Sequence, residues 1–333
     1  SIQAGIAPAG SPAAERAAAR LTQDDPLEAE GQIISGWGIG DDILRLAMLT
    51  RLEGRERAYL YHLDARLCEL AGRALPAMRF AASFTRIVDE AGRRAFWAAR
   101  EGVPIGLDAH RLTRERLEAM QAGLPTMQSE EILHAYLLSR GETRFPFAPI
   151  FAASPAAGAR MAAKLAGLPA GRPRIALAWR SSLRGADRDV YFCAVEDLAP
   201  LFEADVTIIV AQPRLSPAER DWLAARPNAV VWDDVDFWDD FDAQAALFPA
   251  LDLVVSTKLS LRDFSAACGA RTLSLSLGHA HAEGARLAPD GASDRVFPTL
   301  THLAEARYGG RAGVIAEAAR RLAQLAEGGP AQG

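Results

Sequence analysis

Apolar runs of strand length alternate with amphipathic, helix-like segments through the second half of the chain. The apolar runs fall at 175–179, 206–211, 229–232, 251–256 and 272–277. Between and after them, apolar residues recur every three or four positions, as on one face of a helix, at 195–202, 216–225, 241–249, 261–268 and 313–326. Regular alternation of this kind is typical of an α/β domain with a parallel sheet. The pattern therefore predicts a doubly wound, Rossmann-like domain in this half.

The first half repeats the alternation in a less regular form. Strands are predicted at 32–35, 58–62, 78–82 and 103–107, and helices at 43–49, 65–74, 88–100, 114–121 and 130–140. Residues 144–149 contain Pro146 and Pro149 and break the periodicity, which is typical of a passage between domains. We therefore predict an Ala-rich N-terminal segment (1–30), an acceptor-side Rossmann-like domain (31–150), an interdomain helix and linker (151–173), a donor domain (174–305) and a C-terminal crossover helix and tail (306–333).

The composition fits a globular protein with two cores. The chain has 333 residues, 50% of them hydrophobic, and a formal net charge of −5, so we expect no nucleic-acid partner. No apolar run reaches the length of a transmembrane helix, and charged residues interrupt the Ala-rich start, so we expect no signal peptide. The cysteines are widely spaced and lack the spacing of metal ligands, which indicates reduced thiols and a cytoplasmic protein.

The predicted strand at 175–179 leads directly into Arg180, Ser181 and Ser182. In an open α/β sheet, ligands bind where buried strands end on their carboxyl side. An arginine offers a planar fork of donors that fits phosphate, and serines add neutral donors. The same residues also fit the alternative of a strand followed by a solvated polar loop.

A glycine-rich turn, residues 36–42, follows the first predicted strand and opens the first predicted helix. The helix amino terminus favours negative charge, supplied by Asp41 and Asp42 or by a ligand anion. The turn matches neither the GxGxxG pattern nor a P-loop with its lysine, so it identifies no ligand by itself.

Several segments together resemble the glycosyltransferase-like module that follows tetratricopeptide repeats in many bacterial proteins. In the second half, 175–182 resembles "IGxxWRSG", 239–256 resembles "DD…AALIAALDLVIS", 264–269 resembles "LAGALG" and 295–297 matches "RVF". In the first half, 38–41 resembles "GxGD", and 63–67 with 75–78 resembles "DPRLxxLFxRSFP". The resemblance covers about residues 32–325, and the chain contains no repeat units. It implies the GT-B architecture, two Rossmann-like domains facing a cleft, related to heptosyltransferases and more distantly to protein O-GlcNAc transferases.

The resemblance also implies roles for individual residues. In heptosyltransferase-like enzymes the aspartate of the "GD" turn is the general base, which points to Asp41. A helix N-cap is the alternative role for Asp41, and Asp42 is a weaker candidate that we expect on the exposed first turn. The residues expected to bind the donor are Gly40, Trp179, Arg180, Ser181, Ser182, Gln212, Ser256, Lys258 and Ser260.

The chain departs from the family pattern after the strand at 251–256. Lys258 stands where the family has Asp, Leu259 where it has Thr, and Asp263 where it has His. This segment is expected to open a helix that faces the diphosphate, where Lys258 could neutralise a phosphate as a compact cation. The alternative is an exposed lysine in a degenerate loop.

Two other groups of residues contain side chains that can bind metal ions. His279 and His281 with Glu283 lack a third ligand at helical spacing, and the Asp-rich run at 233–242 is typical of a solvated helix entry. We therefore expect no metal and no cofactor.

The expected activity is sugar transfer from a nucleotide-sugar donor to an acceptor, for which a protein is one option that the resemblance implies. The alternatives are a catalytically inactive GT-B-like binding or scaffold module and a nucleotide-sugar epimerase. A transferase would bind a nucleoside diphosphate and release it on turnover, an epimerase would act without an acceptor, and a scaffold would do neither.

Overall fold

The computed structural model describes residues 31–34, 39–50, 59–76, 78–83, 126–128, 148–182, 186–278 and 286–328. They belong to two compact units, Ala4–Gly141 and Glu142–Gly333. The N-terminal segment 1–30 and the elements predicted at 88–100, 103–107, 114–121 and 130–140 lie outside the described residues.

The described part of the first unit is a parallel sheet with two helices. Its strands are β1 (Gly31–Ile34), β2 (Tyr59–Asp64), β3 (Arg79–Ser83) and β4 (Thr126–Gln128), in the order β3-β2-β1-β4. Helices α1 (Ile39–Leu49) and α2 (Ala65–Ala74) follow β1 and β2, as the hydrophobic pattern predicts. β4 was not predicted, because three residues are too few to show a strand period.

Within the described residues, the second unit is built on a six-stranded parallel sheet. Its strands are β5 (Arg174–Ala178), β6 (Thr207–Val210), β7 (Ala229–Val230), β8 (Leu253–Ser256), β9 (Thr272–Ser276) and β10 (Leu300–Ala304). The order β10-β9-β8-β5-β6-β7 is that of a doubly wound sheet, and it reverses direction between β5 and β8. β10 was not predicted, because Thr301 and His302 break its apolar run. The prediction of a doubly wound α/β domain is confirmed for this unit.

Helices cover this sheet and connect its strands. They are α3 (Pro155–Ala166), α4 (Ala186–Asp189), α5 (Pro217–Ala224), α6 (Phe241–Leu247), α7 (Ser260–Ala267), α8 (Glu305–Tyr308) and α9 (Arg311–Ala326). The helix expected at 195–202 is a 3-10 helix, Glu196–Glu203, since Pro200 lies inside it and offers no N–H. α9 packs Val314, Ala318 and Leu322 into the core of the second unit.

The core of the second unit is formed by the central strands. In β5, Ile175 and Leu177 are fully buried, and so is Val255 in the neighbouring β8. Each such side chain contributes about 1.5–3 kcal/mol through removal of apolar surface from water. The buried strands thus form a packed frame, and polar residues follow at the carboxyl ends of β5 and β8.

Candidate functional site

The point where the strand order reverses lies between the carboxyl ends of β5 and β8. Ala178, the last residue of β5, pairs with Ser256, the last residue of β8. The segments 179–182 and 257–259 therefore leave the sheet side by side, about one strand spacing apart. In open α/β sheets this crevice is where ligands bind. It brings together Ser181, Ser182 and Lys258 from the predicted donor set.

Two hydroxyl groups in this crevice have no hydrogen-bond partner among the described residues. The Oγ of Ser182 and the Oγ1 of Thr257 are both buried, and neither has a partner among the residues that the structure describes. Thr257 is fully buried. A buried hydroxyl without a partner costs about 1–3 kcal/mol, and such groups in native proteins are commonly satisfied by a ligand or water. Thr257 was missed by the sequence reasoning, although its place directly after the buried strand could have indicated it.

Ser256 and Ser260 flank this segment and differ in their environment. Ser256 is fully buried, and its Oγ donates to the carbonyl of Thr257 at 3.0 Å, so it shapes the turn from inside. Ser260 is partly exposed and is the first residue of α7. No side chain caps this helix, because Leu259 occupies the N-cap position. The first N–H groups of α7 therefore point from a positively polarised helix end beside Thr257 and Lys258.

Lys258 lies over an aromatic ring. Its Nζ is 4.7 Å from the ring centroid of Tyr191. A Cβ added at Gly278, which has φ +82°, would lie 3.0 Å from Cδ1 of Tyr191, so a larger residue there would be strained and would press on this ring. A cation–π contact of this kind contributes about 0.5–1 kcal/mol at exposed sites. This is less than the ~1.5–3 kcal/mol of a hydrogen bond to a charged group.

Arg180 is held by an acid that the sequence reasoning missed. Its Nε donates to Oε1 of Glu219 at 2.6 Å, its Nη2 donates to Oε2 of the same carboxylate, and Nη2 also reaches the carbonyl of Arg214 at 3.1 Å. The fully buried Trp179 donates from its indole N–H to Glu219 Oε1 at 2.9 Å. The charge of Arg180 is therefore largely neutralised inside the protein, and the Trp179 side chain is committed to the same carboxylate.

Glu219 is a carboxylate at neutral pH. Burial alone would raise its pKa, but hydrogen bonds from Arg180, Ser216 and Trp179 outweigh this effect and hold the pKa at about 2. Glu219 also closes a capping box at the start of α5, because it accepts from Ser216 N while Ser216 Oγ accepts from Glu219 N. The S-x-x-E spacing of that box is the sequence signal that could have located Glu219.

Gln212 joins the ends of β5 and β6. Its Oε1 accepts from the backbone N–H groups of Trp179 and Arg180, each at 3.0 Å. Its Nε2 donates to the carbonyls of Arg180 and Pro213. The amide is buried, and both of its ends are engaged with backbone, so the geometry favours a role in positioning the loop after β5.

The two aspartates of the first unit lie inside α1 and differ sharply in exposure. Asp41 is an acidic residue in the first turn of the helix and is partly exposed. Asp42 was expected on the exposed turn, and this was wrong, since it is fully buried. Its Oδ2 accepts from the backbone N–H of Asp64 at 3.1 Å, where β2 passes into α2. Asp42 therefore ties two βα turns together, while Asp41 and the neighbouring Gly40 stay partly exposed.

Asp263 does not face the crevice through a free carboxylate. It is buried and accepts from Arg262 and from Arg286, the latter at 2.7 Å. Arg286 also donates to Asp294, which contacts Nε2 of His302 at 2.8 Å. Burial would raise the pKa of Asp294, but Arg286 and His302 outweigh it and hold that pKa far below its usual range. Asp263 thus belongs to a buried network of charges.

The acidic run after β7 is engaged with other side chains. Asp233 pairs with Arg220, Asp234 with Lys164, and Asp240 with Arg160, while Asp242 accepts from Ser154. Within the described ranges, no group of acids, histidines or cysteines is arranged to hold a metal ion. His279, His281 and Glu283 lie outside those ranges.

Among the described helices, none combines the length and hydrophobicity that a membrane span requires.

Comparison with known proteins relates the chain to glycosyltransferases through its fold. No protein-family model matches the sequence, and no curated protein matches it. Among solved structures, a family 9 glycosyl transferase from Veillonella parvula matches with a TM-score of 0.56 and 13% identity, over 90% of this chain and 96% of that one. The ADP-heptose LPS heptosyltransferase II of E. coli matches with a TM-score of 0.51 and 15% identity, over 90% and 99%. At such identities the likeness establishes the fold, which is the α/β fold with parallel sheets of GT-B glycosyltransferases.

Proposed function

We propose that the protein is a glycosyltransferase that moves a sugar from a nucleotide-sugar donor to an acceptor. The observation that supports this most directly is the pair of hydroxyls, Ser182 and Thr257, that have no partner among the described residues. They lie beside Lys258 where the strand order reverses between β5 and β8. Hydroxyl donors, an ammonium group and the uncapped end of α7 together match the needs of a diphosphate. The related folds add support from the class of proteins in which this architecture occurs.

In this proposal the diphosphate lies in the crevice and its sugar points toward the acceptor. An acceptor group loses its proton to the Asp41 carboxylate, and its nucleophilic atom bonds to the anomeric carbon. The bond between that carbon and the phosphate oxygen breaks, and the nucleoside diphosphate leaves with the electron pair. Lys258, the hydroxyls and the N–H groups of α7 would stabilise the negative charge that develops on the leaving phosphate.

Arg180 takes a supporting role in this mechanism. The guanidinium of Arg180 is paired with Glu219 and also donates to the carbonyl of Arg214. We therefore propose that Arg180 positions the loop after β5, residues 179–182, which forms one wall of the crevice (the crevice wall), and does not bind phosphate. Gln212, after β6, holds the backbone of the same wall, and the buried indole of Trp179 donates to Glu219 from the core. The positive charge of Lys258 and of the α7 terminus would let the reaction proceed without a metal. We also propose that the acceptor is a protein.

The proposal is tested by binding and turnover together. A thermal-shift screen with ADP, GDP, UDP, CDP and TDP should reveal one or more nucleoside diphosphates that raise Tm. Lys258→Met should then weaken the best of them by about 1.5–3 kcal/mol, the range for hydrogen bonds to charged groups, and the loss should shrink at high salt. Lys164→Met is the matched control, because Lys164 pairs with Asp234 elsewhere. Failure of every nucleotide to bind would contradict the proposal.

A binding module without activity is the second candidate. The exchange of the family histidine for the buried Asp263 favours it, since that side chain is committed to arginines. Turnover separates the two candidates, because an inactive module would bind a nucleoside diphosphate without producing it from any nucleotide sugar. An epimerase would interconvert nucleotide sugars in the absence of an acceptor.

A further inference from the structure

An arginine stacked on a tryptophan lies on the same sheet edge as the crevice, toward β7. Arg214 follows β6, and its guanidinium carbon is 4.4 Å from the ring centroid of Trp238, which lies in the segment between β7 and α6. The backbone N–H of Trp238 donates to Oδ1 of Asp236 at 2.8 Å, which fixes the turn that carries the indole side chain. Arg214 is exposed and Trp238 is partly exposed. A flat, cationic surface backed by an aromatic ring therefore faces solvent at this edge.

The backbone of Arg214 is held in an unfavourable conformation. Among the described residues it is the non-glycine residue with a positive φ, 54°, and such a conformation costs of order 1–3 kcal/mol. The carbonyl of Arg214 accepts from Arg180, whose own position depends on Glu219. The crevice wall thus holds Arg214 in place over Trp238.

Arg214 also differs from the other cations near the crevice in its partners. Arg180 is bound to Glu219, whereas within the described part of the chain Arg214 pairs with no carboxylate and rests on the indole. A guanidinium plane in this state is a surface on which a nucleobase can stack. β5 and β7 are separated by two strand spacings, roughly 10 Å, comparable to the reach from a diphosphate across the ribose to its base.

We infer that Arg214, backed by Trp238, is the stacking platform for the base of the nucleotide whose diphosphate binds at Ser182, Thr257 and Lys258. The inference rests on the proposed function and adds the base subsite to it. The base lies on the outer face of the Arg214 guanidinium, and the ribose crosses the end of β6. Stacking accepts any base, so the platform supplies affinity for nucleosides as a class.

The test separates the base from the diphosphate. Arg214→Gly is the main variant, because glycine accepts the positive φ without strain and keeps the turn while removing the guanidinium. Trp238→Leu removes the backing ring. Each should weaken binding of the best nucleoside diphosphate by about 5- to 150-fold, the range for loss of one stacked base. Binding of inorganic pyrophosphate, measured by calorimetry, should change by less than about twofold, since it lacks the stacked base.

The control is a second stacked pair that lies away from this edge. Arg226 lies 4.0 Å from the ring centroid of Trp222, just after α5, and Arg226→Gly should leave nucleotide binding unchanged. Equal losses for pyrophosphate and nucleotide in Arg214→Gly would overturn the platform and make Arg214 a phosphate ligand. Unchanged nucleotide affinity in both platform variants would overturn it as well. If the wild-type protein binds no nucleoside diphosphate, the proposed function itself fails.

Discussion

Thr257 should be a residue at which function and stability oppose each other. Its Oγ1 is buried without a partner among the described residues, and the whole residue is inaccessible to solvent. Thr257→Val keeps the shape of the side chain and replaces the hydroxyl by a methyl group. Because an unsatisfied buried hydroxyl costs about 1–3 kcal/mol, the ligand-free variant should be more stable than the wild type by up to that amount.

The same substitution should weaken binding of a nucleoside diphosphate. If the hydroxyl donates to a phosphate oxygen, its loss should cost about 1.5–3 kcal/mol, the range for a hydrogen bond to a charged group. Tm and calorimetric Kd measured on the same preparation therefore should move in opposite senses, with Tm up and affinity down. This combination distinguishes a ligand-binding hydroxyl from a packing residue.

Thr272 provides the matched control for this experiment. It is also buried in the same sheet, but its Oγ1 contacts Ser265 Oγ at 2.9 Å and donates to the carbonyl of Ala270 at 3.1 Å. Thr272→Val should therefore destabilise the protein by about 1–3 kcal/mol and leave affinity per folded molecule unchanged. A Thr257→Val protein that is destabilised as much as Thr272→Val, with unaltered nucleotide affinity, would refute the reasoning.

Three further substitutions test the crevice wall at Glu219, the proposed general base Asp41 and the turn at Gly278. Glu219→Gln removes the counter-charge of Arg180; since the folded pKa of about 2 lies below the ordinary 4.5, the carboxylate stabilises the fold above about pH 5. Its contribution, about 1–3 kcal/mol at pH 7, should disappear as pH falls toward 2 in urea titrations. Asp41→Asn should keep nucleotide binding and near-native Tm, with turnover lower by about 10²–10⁴-fold; full turnover would exclude the base role. Gly278→Ala should lower Tm and weaken nucleotide binding, because the added Cβ meets Tyr191 at a positive φ; a normal Tm would contradict the clash.

The hydrophobic pattern predicted the frame of the second unit well because its central strands β6, β8 and β9 are buried on both faces. The run at 175–179 could therefore be placed as β5, with Ser181 and Ser182 just beyond its end. β7 and β8 were also near their predicted places, whereas β10 was missed because His302 is buried through hydrogen bonds rather than by being apolar. Strand signals of this kind depend only on local sequence.

Side-chain partners were harder to predict because they come from distant parts of the chain. Arg180 meets Glu219 across 39 positions, and no local pattern links the two. Asp42 is a different case, since its burial follows from its place on the same helix face as Leu46, four residues later. The helical periodicity of apolar residues that predicted α1 could also have shown that Asp42 lies on its buried face.

The buried charges that begin at Asp263 constrain how this chain can change over evolutionary time. Replacing Asp263 by histidine alone would remove one of the two carboxylates that Arg286 contacts and leave Asp294 as the other. Removal of one partner from a buried ion pair costs about 3–5 kcal/mol when the remaining charge is uncompensated, so Asp294 lowers the cost below that range. Loss of Arg286 alone would leave Asp263 with Arg262 and Asp294 with His302. The positions are therefore coupled: a substitution at one of them changes the cost of a substitution at the others.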